Sequence, residues 1–438
     1  MFSVKNVISH ALSKIITLAF TALFSVYSFS GGICKNPPDA PEEFTPIVRF
    51  AVCSDIHLSG EANDINAEKF KNMFKTCYEY SENHSNYKNL DAVMVCGDMT
   101  EWGREIEYKS YSKIVSENVK DGTAMLECMG NHEFIEEREV EGVDAFVNYK
   151  KYVNEDTEIH KIINGYHFIG VSYSDKDENF GDKTKWLKEQ LDIAVADTGD
   201  KPIFVFQHPH PTLTVYGSVN WSEIDIRAVL EKYPQVVDFS GHSHYNPNDP
   251  RSVWQGSFTA IGTGALTGLM GNLNYISGDA YGSLDTGAYR IVEADKDGNI
   301  RIQLYDCVNN AVFEDSDVYL SDITNQSAHI YTWANMYSLD KAPQFSDDAK
   351  ITLVVNDKGE TIIEIPNAKG YFEAESYYVV VKSGLKTVYA ETVLSGYVVA
   401  TDEKVSVNIG ETNGEKLAVK VTPVSPYGKL GKPIYKCF

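Results

Sequence analysis

The sequence predicts an α/β unit of mixed β-sheets flanked by helices, followed by an all-β sandwich. Three observations carry this. Between Ile47 and Ser240 short apolar runs alternate with amphipathic helical patterns, which implies strands, many of them parallel, covered by helices. After Trp254 the pattern changes to glycine-rich loops and alternating strands, and beyond Ala342-Pro343 it is almost purely strand-like. At 438 residues the chain is long enough for two such units and a large core.

Taken in order, Lys5 and Lys14 lead into an apolar run from Ile15 to Phe29, and Ser28-Phe29-Ser30 ahead of Gly31 offers a small-x-small cleavage site. Residues 1–30 therefore read as a secretory signal, with an uncleaved anchor as the alternative. The run is shorter than the ~20 apolar residues that span a bilayer. Gly31-Gly32-Ile33 lacks the small residue before Cys34 that lipid attachment favours. Residues 31–46, rich in Pro and Glu, form an extended leader.

The unit at 47–312 begins with buried strands at Ile47–Cys53, Ala92–Cys96, Ala124–Met129, Tyr166–Ser172, Pro202–Gln207 and Gln235–Ser240. Phe70, Met73, Phe74, Cys77 and Tyr78 fall on one helical face. Helical patterns follow at Glu105–Val119, Val143–Val153, Asp182–Val195 and Ser222–Tyr233, and Ser222-x-x-Asp225 offers the last an N-terminal cap. Residues 254–312 read as antiparallel strands completing these sheets, with Asp297-Gly298 turning Tyr289–Ala294 into Ile300–Asp306. Residues 313–343 carry no firm pattern and read as a linker with a short helix. Across 344–438 seven strand-like runs follow, Lys350–Asn356, Thr361–Pro366, Ser376–Ser383, Val388–Leu394, Lys404–Ile409, Lys416–Pro423 and Pro433–Lys436. That number and spacing suit two packed antiparallel sheets.

The formal net charge is −23, and loss of residues 1–30 removes two lysines and no acid, moving it to −25. So acidic a body lacks the basic footprint of nucleic-acid binding, and no sequence-specific nucleic-acid partner is expected. Seven cysteines are too few for a disulfide framework in this length. Cys53, Cys96 and Cys128 end apolar strands and read as buried thiols.

Five short pieces carry the chemistry: Asp55-x-His57, Gly97-Asp98, Gly130-Asn131-His132-Glu133, His208 and Gly241-His242-x-His244. Each alone is commonplace, whereas together they supply seven candidate ligands, two aspartates (Asp55, Asp98), Asn131 and four histidines (His57, His208, His242, His244), a set suited to a pair of divalent metals. Asp55, Asp98, Asn131, His208 and His242 each follow an apolar strand by one to three residues, where α/β sheets gather their ligands. Glu133 reads as support for His132 or a nearby loop amide. His210 would line the pocket or face solvent, and His84, His160, His167 and His329 match no motif.

The set and order resemble the calcineurin-like metallophosphoesterases over roughly residues 47–312. The resemblance implies a metallophosphoesterase-like sheet sandwich with a dinuclear centre. Asp55, His57, Asp98 and His244 would hold the first metal, Asp98 would bridge to the second, and Asn131, His208 and His242 would complete it. His132 would face the substrate. Nitrogen and oxygen ligands without thiolate favour manganese, iron, zinc or cobalt. Two such cations ~3.5–4 Å apart clamp an in-line displacement and activate a bridging water as hydroxide. Asp98 and Asn131 join His132 as catalytic candidates, and His132 would give its proton to the departing alkoxide as general acid.

The expected activity is extracellular hydrolysis of a small phosphomonoester or phosphodiester. Purple acid phosphatases carry a tyrosine three residues after the bridging aspartate; Glu101 stands there, so no tyrosinate–iron colour is expected. Gly97-Asp98-Met99-Thr100-Glu101-Trp102-Gly103 with Glu107-Tyr108 looks more like the cyclic-nucleotide and general phosphodiesterase branch. Trp102, Tyr173, Tyr216, Trp221 and Tyr245 lie near motif ends and would stack a base or sugar, or else pack loops. The last unit resembles a fibronectin type III domain, an immunoglobulin-like sandwich, through Ala342-Pro343-x-Phe345 and the run Lys420–Lys429. It departs in lacking a tryptophan after the first strand and in Leu417, where tyrosine is usual. The alternative function is a cell-surface scaffold, its C-terminal unit contacting polysaccharide or protein.

Overall fold

The computed structural model describes residues 34–174, 180–270, 286–400 and 404–438. The signal reading at 1–30 lies outside the described residues. Strands β1 (Pro46–Cys53), β2 (Ala92–Cys96) and β3 (Ala124–Cys128) run parallel. They alternate with helices α1 (Ile65–Asn83) and α2 (Glu105–Asn118), and α3 (Ala145–Tyr152) follows β3. A second parallel set is β5 (Tyr166–Val171), β6 (Ile203–Phe206) and β7 (Val236–Ser240), with α4 (Lys183–Thr198) and α5 (Ile224–Leu230) between. An edge strand β4 (Glu158–Ile163) pairs antiparallel with β5.

Beyond β7 the chain serves both sheets. β8 (Val253–Gln255) pairs antiparallel with β9 (Thr259–Gly262), but β9 joins β7 in parallel, against the wholly antiparallel expectation for 254–312. β10 (Ala288–Asp295) and β11 (Ile300–Asp306) form the hairpin expected at Asp297-Gly298, and β10 pairs antiparallel with β1. The sheet runs further than Val312. β12 (Ala311–Val312) and β13 (Val318–Leu320) both pair with β11, so ordered sheet reaches into the stretch read as patternless linker. The short helix there is α6 (Trp333–Leu339).

Alternation along β1 explains the layering. Phe50 and Val52 point between the sheets, where the Phe50 ring meets Phe204 at 4.8 Å and Phe168 at 5.0 Å. Ala51 and Cys53 point the other way, beneath Phe70, Phe74 and Tyr111 of the helices. Both faces are dry, which is why these strands read as unbroken apolar runs. Cys53, Cys96 and Cys128 are buried free thiols, as expected, and burial pushes each well up from the usual thiol range.

The anticipated cap at Ser222 is not formed. The Ser222 hydroxyl donates to Thr212 Oγ1, and Ser222–Glu223 pair with His210–Pro211 as a two-residue ladder. Helix α5 starts only at Ile224, and the Asp225 carboxylate turns away to accept from the Phe180 amide.

All seven C-terminal runs become strands. β14 (Thr352–Val355), β15 (Thr361–Ile365) and β18 (Val405–Asn408) form one antiparallel sheet. β16 (Ser376–Ser383), β17 (Lys386–Leu394), β19 (Leu417–Val424) and β20 (Ile434–Cys437) form the other. Ile363, Ile365, Val379, Val381, Val419 and Val421 fill the space between them.

Candidate metal centre

Five loops leave the carboxyl ends of β1, β2, β3, β6 and β7 and bring Asp55, Asp98, Asn131, His208 and His242 to one rim. Their backbones are strained. Asp55, His57, Asp98, His242 and His244 all adopt left-handed φ, between 51° and 68°, a region non-glycine residues enter rarely and at a cost on the order of 1–3 kcal/mol. The loops brace one another: the Asp55 amide donates to Gly97 O at 3.1 Å and the His57 amide to Asp98 O at 3.1 Å. Two glycines are required by close approach. A Cβ on Gly130 would strike Asp98 Oδ1, and one on Gly241 would strike Ser54 Oγ and Asp55 Oδ2.

Three groups of candidate ligands result, Asp55–His57–His244, Asp98–His208–His242 and His57–Glu101–His132. In the first, Asp55 Oδ2 accepts from Ser54 Oγ (2.5 Å) and the His242 amide (3.0 Å). That leaves Oδ1 facing His244 Nε2 at 3.0 Å, with no hydrogen bond of adequate geometry. In the second, Asp98 Oδ1 accepts from the His132 amide at 2.9 Å. Its Oδ2 lies 3.0 Å from His208 Nε2 and 3.7 Å from His57 Nε2, between the groups. Asn131 Oδ1 is 3.0 Å from His208 Nε2. The sites of all seven ligands named from the sequence thus meet.

Outer partners set the ring orientations. His208 Nδ1 donates to Cys96 O (2.8 Å), which turns Nε2 inward as metal-binding imidazoles require. His57 Nδ1 sits 3.1 Å from Glu101 Oε2. His132 Nδ1 donates to Glu101 O at 2.9 Å, and its ring stands edge-on to His57 with centroids 4.2 Å apart. Glu133 is fully buried and accepts from the amides of Asp98 (2.9 Å), Gly130 (2.7 Å) and Thr100 (2.9 Å), and from Thr100 Oγ1 (2.9 Å). It supports loop amides, one of the two roles expected.

His210 neither lines the rim nor faces solvent. It is buried, bridging Ser240 Oγ (2.9 Å) and Ser243 Oγ (2.8 Å) behind the last loop. Among the aromatics, Tyr173, Tyr216 and Tyr245 are buried and pack loops. Trp221 stands against His242 at 5.2 Å, and Trp102 is partly exposed beneath Arg104. Sequence reasoning missed Glu101 as a partner of His57, though its place three residues after Asp98 was a signal. Ser54 carried none.

Burial alone would push the Asp55 and Asp98 carboxyls up, but neighbouring imidazolium charge, from His244 and His208 for Asp55 and from His208 for Asp98, holds both well below the usual range. His57 and His208 show the converse. Burial opposes their charge, yet the carboxylates raise His57 to about 10 and His208 to about 9. His242, penalised by burial and then by the His208 charge, falls to about 3. The cluster is therefore short of positive charge.

That shortage, the orphaned Asp55 Oδ1 and two imidazole nitrogens facing each other at 3.2 Å (His57 and His244 Nε2) suit cations bound among these atoms.

Residues 48–246, which include all seven candidate ligands, match the family model described as calcineurin-like phosphoesterase, and a domain of that kind occupies this segment. No curated protein matches the chain. Among solved structures the chain is similar to the purple acid phosphatase from yellow lupin (Lupinus luteus) seeds, at 12% identity and a TM-score of 0.47. The likeness covers 66% of this chain and 56% of that one.

Proposed function

We propose that this chain is a secreted dinuclear-metal phosphoesterase that hydrolyses a small phosphomonoester or phosphodiester. The observation that carries the reading is Asp98 Oδ2, set between His57 Nε2 at 3.7 Å and His208 Nε2 at 3.0 Å, with Asp55, His57 and His244 grouped on one side and His208 and His242 on the other. A carboxylate shared by two cations needs that position. Asp55, His57 and His244 would hold one divalent metal, Asn131, His208 and His242 the other, with Asp98 common to both. When bound, the pair neutralises charge on phosphoryl oxygens and makes water nucleophilic near neutral pH.

The chain's own groups do the rest. Asn131 offers a neutral oxygen where a further carboxylate would weaken the centre's pull on an anion. His132 is fixed by its amide bond to Asp98 and by Nδ1 donating to Glu101 O. In the imidazolium form its remaining proton, on Nε2, is free for the leaving oxygen, help typically worth ~10²–10⁴-fold. Trp221, whose ring stands edge-on to His242, would flank the departing group.

The lysines before the apolar run at 15–29 support secretion. The three- and four-stranded antiparallel sheets support a fibronectin type III-like unit at 344–438.

The test is direct. Purified chain reconstituted with manganese, iron, zinc or cobalt is assayed on p-nitrophenyl phosphate and bis(p-nitrophenyl) phosphate, with metal content measured in parallel. Two equivalents bound and hydrolysis of at least one ester are expected, and Asp98→Ala should lose at least one equivalent. Two equivalents bound with no turnover under any metal would leave a scaffold, not an enzyme.

A further inference from the structure

Arg49 and Arg290 are buried, Arg251 keeps only a tenth of its side chain exposed, and two of these three are paired. Arg49 meets Glu293 at 2.7 Å, and Arg251 lies between Asp249 at 2.6 Å and Glu375 at 2.5 Å. Arg290 on β10 is the exception. It is 1% exposed, with Nε donating to Gly262 O and Nη2 to Pro247 O, each at 3.0 Å. Its Nη1 meets no acceptor, and no carboxylate lies within ion-pairing distance of it among the described residues. Burial lowers its affinity for its proton to a pKa of about 9, with no acidic neighbour to offset this. A guanidinium taken out of water without a counter-charge is costly, which is why buried arginines are nearly always paired.

Arg290 lines a cavity of about 640 Å³ between the phosphoesterase sheets and the C-terminal sheets. Tyr331, Phe372, Tyr377 and Tyr397 supply apolar wall. None of the seven candidate metal ligands borders it. Glu314, Asp315 and Asp317 stand exposed on the same lining. We propose that this cavity is a second ligand site, taking a singly charged organic carboxylate whose oxygens seat on Arg290 and whose apolar body lies against the aromatic wall. A guanidinium carries five protons, and the two carbonyls use two of them, so three remain in a planar fork that matches a carboxylate. The exposed acids disfavour a second negative charge, which sets the class apart from phosphate dianions and polyanions. The site is independent of the catalytic reading and stands or falls without it.

The experiment is isothermal titration calorimetry of the full chain with 4-bromobenzoate at pH 8, in matched chloride, against wild type, R290M and D98A. Wild type should bind one equivalent saturably. R290M should bind at least tenfold more weakly, D98A within twofold of wild type, and inorganic phosphate should bind D98A at least tenfold more weakly than bromobenzoate does. Arg290 also secures two carbonyls, so if R290M fails to fold the bromine anomalous signal in wild-type crystals decides, expected in the cavity with the carboxylate towards Nη1. No saturable binding to wild type, binding lost in D98A but kept in R290M, phosphate preferred over bromobenzoate, or bromine located elsewhere would each overturn the proposal.

Discussion

Replacing Glu133 with glutamine isolates what one buried carboxylate does for the turn that carries Asp98. The wild-type side chain accepts four hydrogen bonds, two on each oxygen, three of them from backbone amides. A glutamine of the same shape has one oxygen. If that oxygen serves Asp98 and Gly130, the new NH2 faces the Thr100 amide, donor against donor, and Thr100 Oγ1 cannot compensate fully because it already accepts from the Gly103 amide at 3.1 Å. One orphaned buried donor costs about 1–3 kcal/mol, and the surviving bonds lose their charge assistance. Against this stands the relief of no longer burying a carboxylate, whose pKa is raised by burial and then by the Asp98 charge. The net expectation is a loss of about 2–4 kcal/mol in urea unfolding, with weaker retention of at least one metal because the Asp98 amide is no longer held. Stability alone would not separate this from ordinary core damage, so metal content at graded chelator is the deciding assay. A variant that unfolds at the wild-type urea concentration and keeps both metals equally well would show that the carboxylate does not position Asp98.

Gly241→Ala should lose metal and most activity, since its Cβ meets Ser54 and Asp55, whereas Gly262→Ala, whose Cβ would find only ordinary contacts of 3.7 Å or more, should leave both near wild type. His132→Ala should keep both metals and slow kcat by ~10²–10⁴-fold, most for esters with poor leaving groups; metal loss would instead make His132 a ligand. Glu127 is buried on β3 and raised from 4.5 to about 8 by burial, so the folded state keeps a proton that the unfolded chain releases. Stability should therefore fall as pH rises from 4.5 to 8, by up to a few kcal/mol at about 1.4 per unit, and Glu127→Gln should flatten that slope in thermal unfolding across the window. With a chain charge of −23, added salt should aid capture of highly charged substrates, and a steep fall of kcat/KM with salt would count against this.

Much of the fold was legible because both faces of the central strands are buried, so apolar runs such as Val93–Cys96 stand out without any periodicity. The C-terminal strands were legible for the opposite reason. Tyr377, Val379 and Val381 point inward while Tyr378 is 43% exposed, and period two is visible in such a half-wet sheet. β4 escaped because Glu158, His160 and Lys161 interrupt its apolar residues. The turn signal was nevertheless present: Asn164-Gly165, with φ of 51° and 80°, is the Asn-Gly pair that closes tight hairpins. The metal ligands were readable as residue types in order. Their partner Ser54 was not, because a hydroxyl that orients another side chain has no spacing of its own. For His210 the sequence left the pocket and the solvent open, and the structure gives neither: a strand-like backbone at His210–Pro211 turns its ring into the protein.

The strained loop that presents His242 and His244 is held from outside the phosphoesterase segment as well as within it. Asn246 and Asn248 both donate their side-chain amides to the Tyr397 carbonyl, at 3.1 and 2.9 Å. Glu375 accepts from Tyr216 Oη at 2.7 Å and pairs with Arg251, whose guanidinium lies 3.8 Å above the Tyr216 ring. Tyr216 in turn packs on Tyr245, the residue after His244, with ring centroids 4.5 Å apart. Left-handed backbone at two successive histidine positions persists only where its surroundings over-determine it. The C-terminal unit supplies part of that constraint through Glu375 and Tyr397, so the unit that looks separable in sequence is coupled by contact to the geometry of the candidate metal centre.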